Sequence, residues 1–187
     1  MPQIKGTAML QCVKALRAQR EKAAALLPRE LQHYLEKRIA ISVWYPEKDH
    51  LALLRAVAEL VGGGRRDVWE FLGRASARSD LQGVYRNMLK VGDPDATLRR
   101  GPALWQAYHD SGTVTVTWES ENLVRVELAD YGLRAAEMCG VFGGYYHELL
   151  HLSGAREVSV AHTACRLSGA QECQWHTKWL SMLSEPA

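Results

Sequence analysis

The hydrophobic period of this 187-residue chain changes near residue 110, and this change constrains the fold more than any other feature. Before it, apolar residues recur every three or four positions, as in amphipathic helices; one helix is predicted over residues 4–22 and another begins at Pro28. After it, the segments TVTVTW and LVRVEL alternate apolar and polar residues, which is typical of half-buried strands. A helical first half followed by strands predicts an α+β fold.

The second half predicts two hairpins separated by one helix. Residues 119–122 form the turn of the first hairpin, and Gly169 marks the turn of the second. Between them, residues 133–152 return to a helical stripe, in which Gly143 and Gly144 favour close backbone packing. We therefore expect a helical N-terminal subdomain at 1–100 packed on a ββαββ subdomain with an antiparallel sheet at 101–187, together one compact unit.

Composition argues against several functional classes. The net charge is only +2 and the basic clusters are short, so we expect no nucleic-acid partner. No apolar stretch has the length of a membrane span and the N-terminus does not resemble a secretory signal, so we expect a cytoplasmic protein without a membrane partner. In that reducing compartment, cysteines near histidines favour metal binding over disulfides.

Three of the four cysteines and one histidine can be brought together by the second hairpin and its helix. With a three-residue turn at 168–170, Cys165 lies opposite Cys173, at a spacing that suits two thiolates on one zinc ion. Cys139, near the start of the helix, and His162, three residues before Cys165, could complete the set. Strict alternation places His162 and Cys165 on opposite faces, so a bulge between them is required.

Other interpretations of these residues stay open. Cysteine is among the most buried residue types, so packing in the core would also explain the three cysteines. Cys165 and Cys173 could form a disulfide on oxidation. His162 shares a strand face with Val158 and Val160 and could be a hydrogen-bonded core residue.

The segment from about Gly101 to Trp179 resembles the 4-vinyl-reductase domain of phenol-sensing bacterial activators, which is distantly related to a TRAPP vesicle-tethering subunit. The resemblance rests on a hairpin, the helix CGVFGGYYHELLHLSGA, a strand, and the C-x(7)-C of CRLSGAQEC. Across nearly the whole chain, landmarks such as WYPEKDHLALLRA and LQGVYRNMLKVGDP are similar to a family of uncharacterised proteins expanded in myxobacteria.

This resemblance implies a structural zinc site. In the phenol-sensor branch the metal is held by cysteine, glutamate, cysteine and cysteine, and Cys139, His162, Cys165 and Cys173 reproduce its intervals of 23, 3 and 8 residues. His162 replaces the glutamate and is at least as good a zinc ligand. Four protein ligands leave no open position, so the zinc would join helix to hairpin without catalysing a reaction. Related domains dimerise, so the resemblance also implies a homodimer.

The segment HELLH at 147–151 matches the H-E-x-x-H signature of zinc metallopeptidases. Its two histidines share a helical face, but only one predicted hairpin precedes them, and Glu157 stands where the longer signature has a histidine or aspartate. We interpret the match as accidental. We also find no nucleophile–base pair, so no catalytic residue is assigned.

Together, these features predict a module that is not an enzyme. It would bind a small apolar ligand, a protein partner or both, and zinc would stabilise it. Two alternatives stay open: an interaction scaffold without ligand or metal, and a HELLH metallopeptidase that depends on Glu148.

Overall fold

The computed structural model describes residues 1–180 and has an α+β architecture; residues 181–187 of the predicted second subdomain lie outside the described part. The α-helices are α1 (Gly6–Arg17), α2 (Arg20–Leu26), α3 (Glu47–Val61), α4 (Val68–Leu81), α5 (Pro94–Leu98), α6 (Gly101–Tyr108) and α7 (Ala136–Leu152). The strands are β1 (Gln3–Lys5), β2 (Trp44–Pro46), β3 (Thr113–Ser120), β4 (Leu123–Ala129), β5 (Arg156–Ala164) and β6 (Cys173–Leu180). Short 3-10 helices span Arg29–Leu35, Arg86–Met88 and Arg166–Ser168.

The chain forms two compact units whose boundaries differ from residue 100. The first contains Met1–Val68 and Ala107–Ser111, and the second contains Trp69–Gln106 and the described residues from Gly112 onward. The division into subdomains 1–100 and 101–187 stays a prediction. None of the helices within residues 1–180 combines the length and apolar character that a membrane crossing requires.

In the first unit, α1 packs on α3 and a small sheet lies at their N-terminal ends. The sheet pairs β1 with β2 in antiparallel register, with Ile4 opposite Tyr45. The apolar faces of the two helices bury their side chains almost completely: Met9, Val13, Leu16, Leu51, Leu53, Leu54 and Val57. This burial is the main source of the unit's stability.

A buried polar group interrupts that apolar core. Glu47 and His109 are both buried, and the His109 imidazole donates a hydrogen bond from Nδ1 to Oε1 of Glu47 at 2.6 Å. His50 lies in the same core, and its Nδ1 has no hydrogen-bond partner among the described residues. Burial, together with the nearby charge of His109, lowers the pKa of His50 to about 3.

The second unit is built on a four-stranded antiparallel sheet in the order β3-β4-β6-β5. One face of β4 buries Val124, Val126 and Leu128, and alternate residues of β6 are buried beside them. The antiparallel pairing of β3 with β4 and of β5 with β6 agrees with the two predicted hairpins. Four aromatic rings pack edge to face between the sheet and α7, with centroids 5.1 to 6.1 Å apart: Trp105, Tyr131, Phe142 and Trp175.

The backbones of α4 and α7 touch at glycines. A Cβ atom at Gly144 would overlap the carbonyl oxygen of Glu70, and one at Gly73 would overlap the carbonyl oxygen of Val141. At Gly140 it would lie 2.7 Å from Cβ of Trp69. Glycine at these positions therefore sets how closely the two helices approach, and the sequence-based prediction of close packing is confirmed at Gly144.

We predict that Gly144→Ala lowers the free energy of unfolding by about 1–3 kcal/mol, because the added methyl group meets backbone that cannot move aside. Gly143→Ala is the matched control, one residue away on the same helix. Its added Cβ would lie 3.6 Å from the nearest atom, Nε1 of Trp175, so we expect stability to be unchanged or to rise by up to ~1 kcal/mol. Urea denaturation of both variants measures the difference. Equal stability of the two would contradict the close-packing interpretation.

We predict that His50 makes the protein less stable as the pH falls from about 6.5 towards 3. The unfolded chain takes up a proton on His50 below pH ~6.5, whereas the folded chain does not, so the free energy of unfolding falls by up to ~1.4 kcal/mol per pH unit. Replacing His50 by leucine should remove this part of the slope. The partly exposed His33→Gln variant serves as control, and urea midpoints between pH 6.5 and 5 give the result. A His50→Leu variant with the wild-type slope would show that His50 does not cause the effect.

Candidate functional site

The four side chains predicted as metal ligands lie together in the structure. Their ligand atoms, one from each of Cys139, His162, Cys165 and Cys173, are all within 4.8 Å of one another. The two sulfur atoms of Cys139 and Cys165 are 3.9 Å apart. No disulfide joins any of the four cysteines, all of which lie within the described residues. We call these four side chains the cysteine cluster.

The local structure explains how the cluster forms. Cys139 lies in the first turn of α7, and Cys173 is the first residue of β6. The pairing of β5 with β6 shifts by one residue between His162 and Ala164, and this is the bulge that the sequence requires. A 3-10 turn then leads to Gly169, whose φ of 94° is readily adopted by glycine.

The cysteine cluster favours different protonation states at its thiols. Burial raises the pKa of Cys139, and the adjacent sulfur atoms of Cys173 and Cys165 raise it further. Burial also raises the pKa of Cys165, but hydrogen bonds from the backbone N–H of Leu167 and from the neighbouring thiols outweigh it and leave the pKa lowered. The backbone N–H of Arg166 donates to Sγ of Cys173 at 3.5 Å. Cys165 is thus prepared to act as a thiolate, the form that binds metals.

His162 is also suited to act as a ligand. Burial lowers its pKa, so its ring is neutral at physiological pH and has a lone pair to offer. The imidazole stacks on the indole of Trp175, with centroids 4.8 Å apart and planes inclined by 20°. This contact fixes the orientation of the ring beside the sulfur atoms.

The HELLH segment does not form a peptidase site. Glu148 is only 1% exposed, and Nε of Arg78 donates to its Oε1 at 2.5 Å. A buried carboxylate that is paired with a guanidinium does not serve as a general base for a water molecule. His151 is exposed and His147 is half-buried at the edge of a groove, so the H-E-x-x-H match carries no peptidase chemistry.

That groove is a feature the sequence did not predict. It has a volume of about 520 Å³ and lies beside α7, between α4 and β5. We call it the α7 groove and define it by six residues that line it: Trp69, Arg74, Gly143, His147, Val160 and His162. The only signals in the sequence were the glycines of α7 and the histidine of the HELLH segment.

A family model described as a protein of unknown function, DUF2378, matches residues 8–179. The chain belongs to the DUF2378 family. Among curated proteins, none matches this DUF2378 chain.

Solved H-NOX structures share the fold of the DUF2378 chain. An oxygen-binding H-NOX domain related to soluble guanylate cyclases is 14% identical, with 98% of each chain covered and a TM-score of 0.68. The unliganded Fe(II) H-NOX protein from K. algicida is 11% identical, with 97% of this chain and 100% of that chain covered and a TM-score of 0.68. A structure described as probing heme distortion in the H-NOX family is 13% identical, with 98% of each covered and a TM-score of 0.70.

These findings correct two predictions. The resemblance to 4-vinyl-reductase domains is wrong, because the family is DUF2378 and the fold over the whole chain is that of H-NOX domains. A hairpin, a helix and a C-x(7)-C turn form a short local pattern that does not identify a fold. The zinc cofactor is wrong as well, since the group named for the similar structures is heme and the cysteine cluster is a candidate metal site only.

The smaller cavity that Phe142 and Trp175 line in the second unit is too small for heme. Its volume is about 20 Å³, room for roughly one water molecule. Ligand pockets have volumes of roughly 300 Å³ or more, and heme also needs an axial ligand that faces the iron. In the first unit, His109 is hydrogen-bonded to Glu47 and His50 is buried in the core.

We predict that Glu148→Gln lowers the free energy of unfolding, because the change breaks the ion pair with Arg78, and that neither form hydrolyses peptides. Glu157→Gln is the control, since Glu157 is exposed and lies at the place of the third ligand in the longer peptidase signature. Thermal denaturation and a casein hydrolysis assay measure the two quantities. Hydrolysis by the wild type that disappears in Glu148→Gln would restore the metallopeptidase interpretation.

Proposed function

We propose that this DUF2378 protein is a non-enzymatic sensory module that binds a small, largely apolar molecule and acts on a protein partner. The observation that carries the proposal is the α7 groove, whose volume of about 520 Å³ lies within the range of small-molecule sites. The H-NOX fold supports it, because an oxygen-binding domain shares that fold over 98% of this chain. A cytoplasmic location and a homodimer stay predictions.

We further propose that the cysteine cluster holds a thiophilic metal ion with a structural role. Three sulfur atoms and one imidazole nitrogen within 4.8 Å of one another can converge on a single ion. Such an ion would join the first turn of α7 to β5 and β6, and its binding would stabilise the second unit. The lowered pKa values of Cys165 and His162 support this role, because both groups bind metal in their deprotonated forms.

Titration with Co(II), a spectroscopic probe of thiolate ligands, tests the metal proposal. We expect one equivalent to bind with a sulfur-to-cobalt charge-transfer band and to raise the melting temperature. Cys173→Ser should weaken binding by at least about tenfold, because a hydroxyl is a poor substitute for a thiolate. Cys12→Ser is the control, since Cys12 is buried in α1, outside the cluster. Binding that survives in Cys173→Ser would contradict the assignment of the four ligands.

Fluorescence titration with N-phenyl-1-naphthylamine, a neutral apolar probe, tests the sensory proposal. We expect saturable binding of one probe molecule per chain and a rise in the melting temperature with probe concentration. Non-saturable binding, or none, would contradict a small-molecule module and would leave an interaction scaffold. A parallel titration with hemin measures whether the chain binds the group that is named for the similar structures.

A further inference from the structure

The α7 groove is lined by aromatic and aliphatic side chains around Gly143. At Gly143 an added Cβ atom would be in ordinary van der Waals contact with Trp175, at 3.6 Å, and with Val160, at 4.0 Å, so the glycine forms a shallow part of the groove surface between these two side chains. Trp69, from α4, lines the groove beside α7, and Val160 lines it from β5. The stacked pair of His162 and Trp175 also lines it. Such a space favours a planar, apolar ring.

Two buried polar atoms of groove residues lack partners. Nε of Arg74 and Nδ1 of His147 have almost no exposed surface and form no hydrogen bond with any described residue. Buried polar groups in folded proteins are nearly always hydrogen-bonded, and an unsatisfied one costs about 1–3 kcal/mol. Both atoms belong to residues that line the same groove, and Arg74 lies near enough to His147 for its charge to lower the pKa of that histidine.

The positively and negatively charged residues of the groove lie at different positions along α7. Burial, followed by the nearby positive charge of Arg74, lowers the pKa of His147. At neutral pH His147 is therefore an uncharged hydrogen-bonding group, and Arg74 supplies the positive charge. Glu70 lies at the other end, where its Oε1 is 3.4 Å from the Cβ position of Gly140. Gly140 is seven residues before His147, about 10 Å along the helix axis, so an anion is favoured beside Arg74 and His147 rather than near Gly140, where Glu70, one turn before Arg74 on α4, places its carboxylate.

We propose that the α7 groove binds a small aromatic carboxylate. The carboxylate accepts hydrogen bonds from Arg74 and His147, and the ring lies over Gly143 between Trp69 and Val160. A guanidinium is well suited to a carboxylate, because its planar N–H groups match the two oxygens. This inference rests on the proposed sensory function and specifies the site and ligand class for it.

Calorimetric titration with 1-naphthoate and 1-naphthamide tests the proposal, since the two probes have nearly the same shape and differ in charge. We expect 1-naphthoate to bind at least about tenfold more tightly. Arg74→Gln should abolish this difference, whereas Arg66→Gln, an equal charge change at an exposed position outside the groove, should preserve it. Gly143→Leu should block both probes by filling the groove at that position, with Gly143→Ala as a folded reference.

The remaining outcomes separate this inference from the proposed function. Equal affinity for the two naphthyl probes, or a preference that persists in Arg74→Gln or Gly143→Leu, would overturn the aromatic-carboxylate site. If N-phenyl-1-naphthylamine still binds with saturation in that case, the sensory function stands and only its ligand class is wrong. If none of the three probes binds, both proposals fail.

Discussion

The direct contact between the backbones of α4 and α7 is the constraint on which the second unit depends. Gly73 and Gly144 remove the side chains that would otherwise separate the two helices. As a result, Trp69 and Arg74 on α4 can reach the surface of α7 and form one side of the α7 groove. Helix α7 also places Cys139 in the cysteine cluster near its start. Further along, it buries Glu148 against Arg78. One glycine-based crossing therefore positions the groove, the cluster and a buried ion pair.

Much of the fold could be predicted because its main signals are local. The alternation of Val114, Val116, Val124 and Val126 specified the first hairpin, since each strand buries one face. The strands β1 and β2 could not be predicted. Each contains only three residues, too few to show a period, and their pairing joins Ile4 to Tyr45 across some forty residues of sequence. The helix expected over 4–22 starts later, at Gly6, because β1 takes residues 3–5 into that pairing, and the structure also divides it between Arg17 and Arg20.

The candidate site, too, could be predicted only where its signals are local in the sequence. The intervals between Cys139, His162, Cys165 and Cys173 specified which side chains converge, and the parity conflict between His162 and Cys165 required the bulge that the structure contains. The resemblance that supplied those intervals nevertheless pointed to the wrong fold family. The α7 groove has no comparable signal, since Arg74 and His147 are 73 residues apart and meet only through the helix crossing. The ion pair of Glu148 with Arg78 could not be predicted for the same reason, since the two residues are 70 positions apart in the sequence. Without that partner, HELLH resembled a catalytic motif.

The glycines at the crossing also determine how this unit can move. Helices that pack through side chains can slide past each other by a few tenths of an ångström, because rotamers adjust at the interface. Gly144 contacts the carbonyl group of Glu70, and Gly73 contacts that of Val141. At these two points no side chains lie between the helices, so none can change rotamer to allow sliding. We therefore expect α4 and α7 to move together as one rigid element. The α7 groove, which residues of both helices line, would move with them.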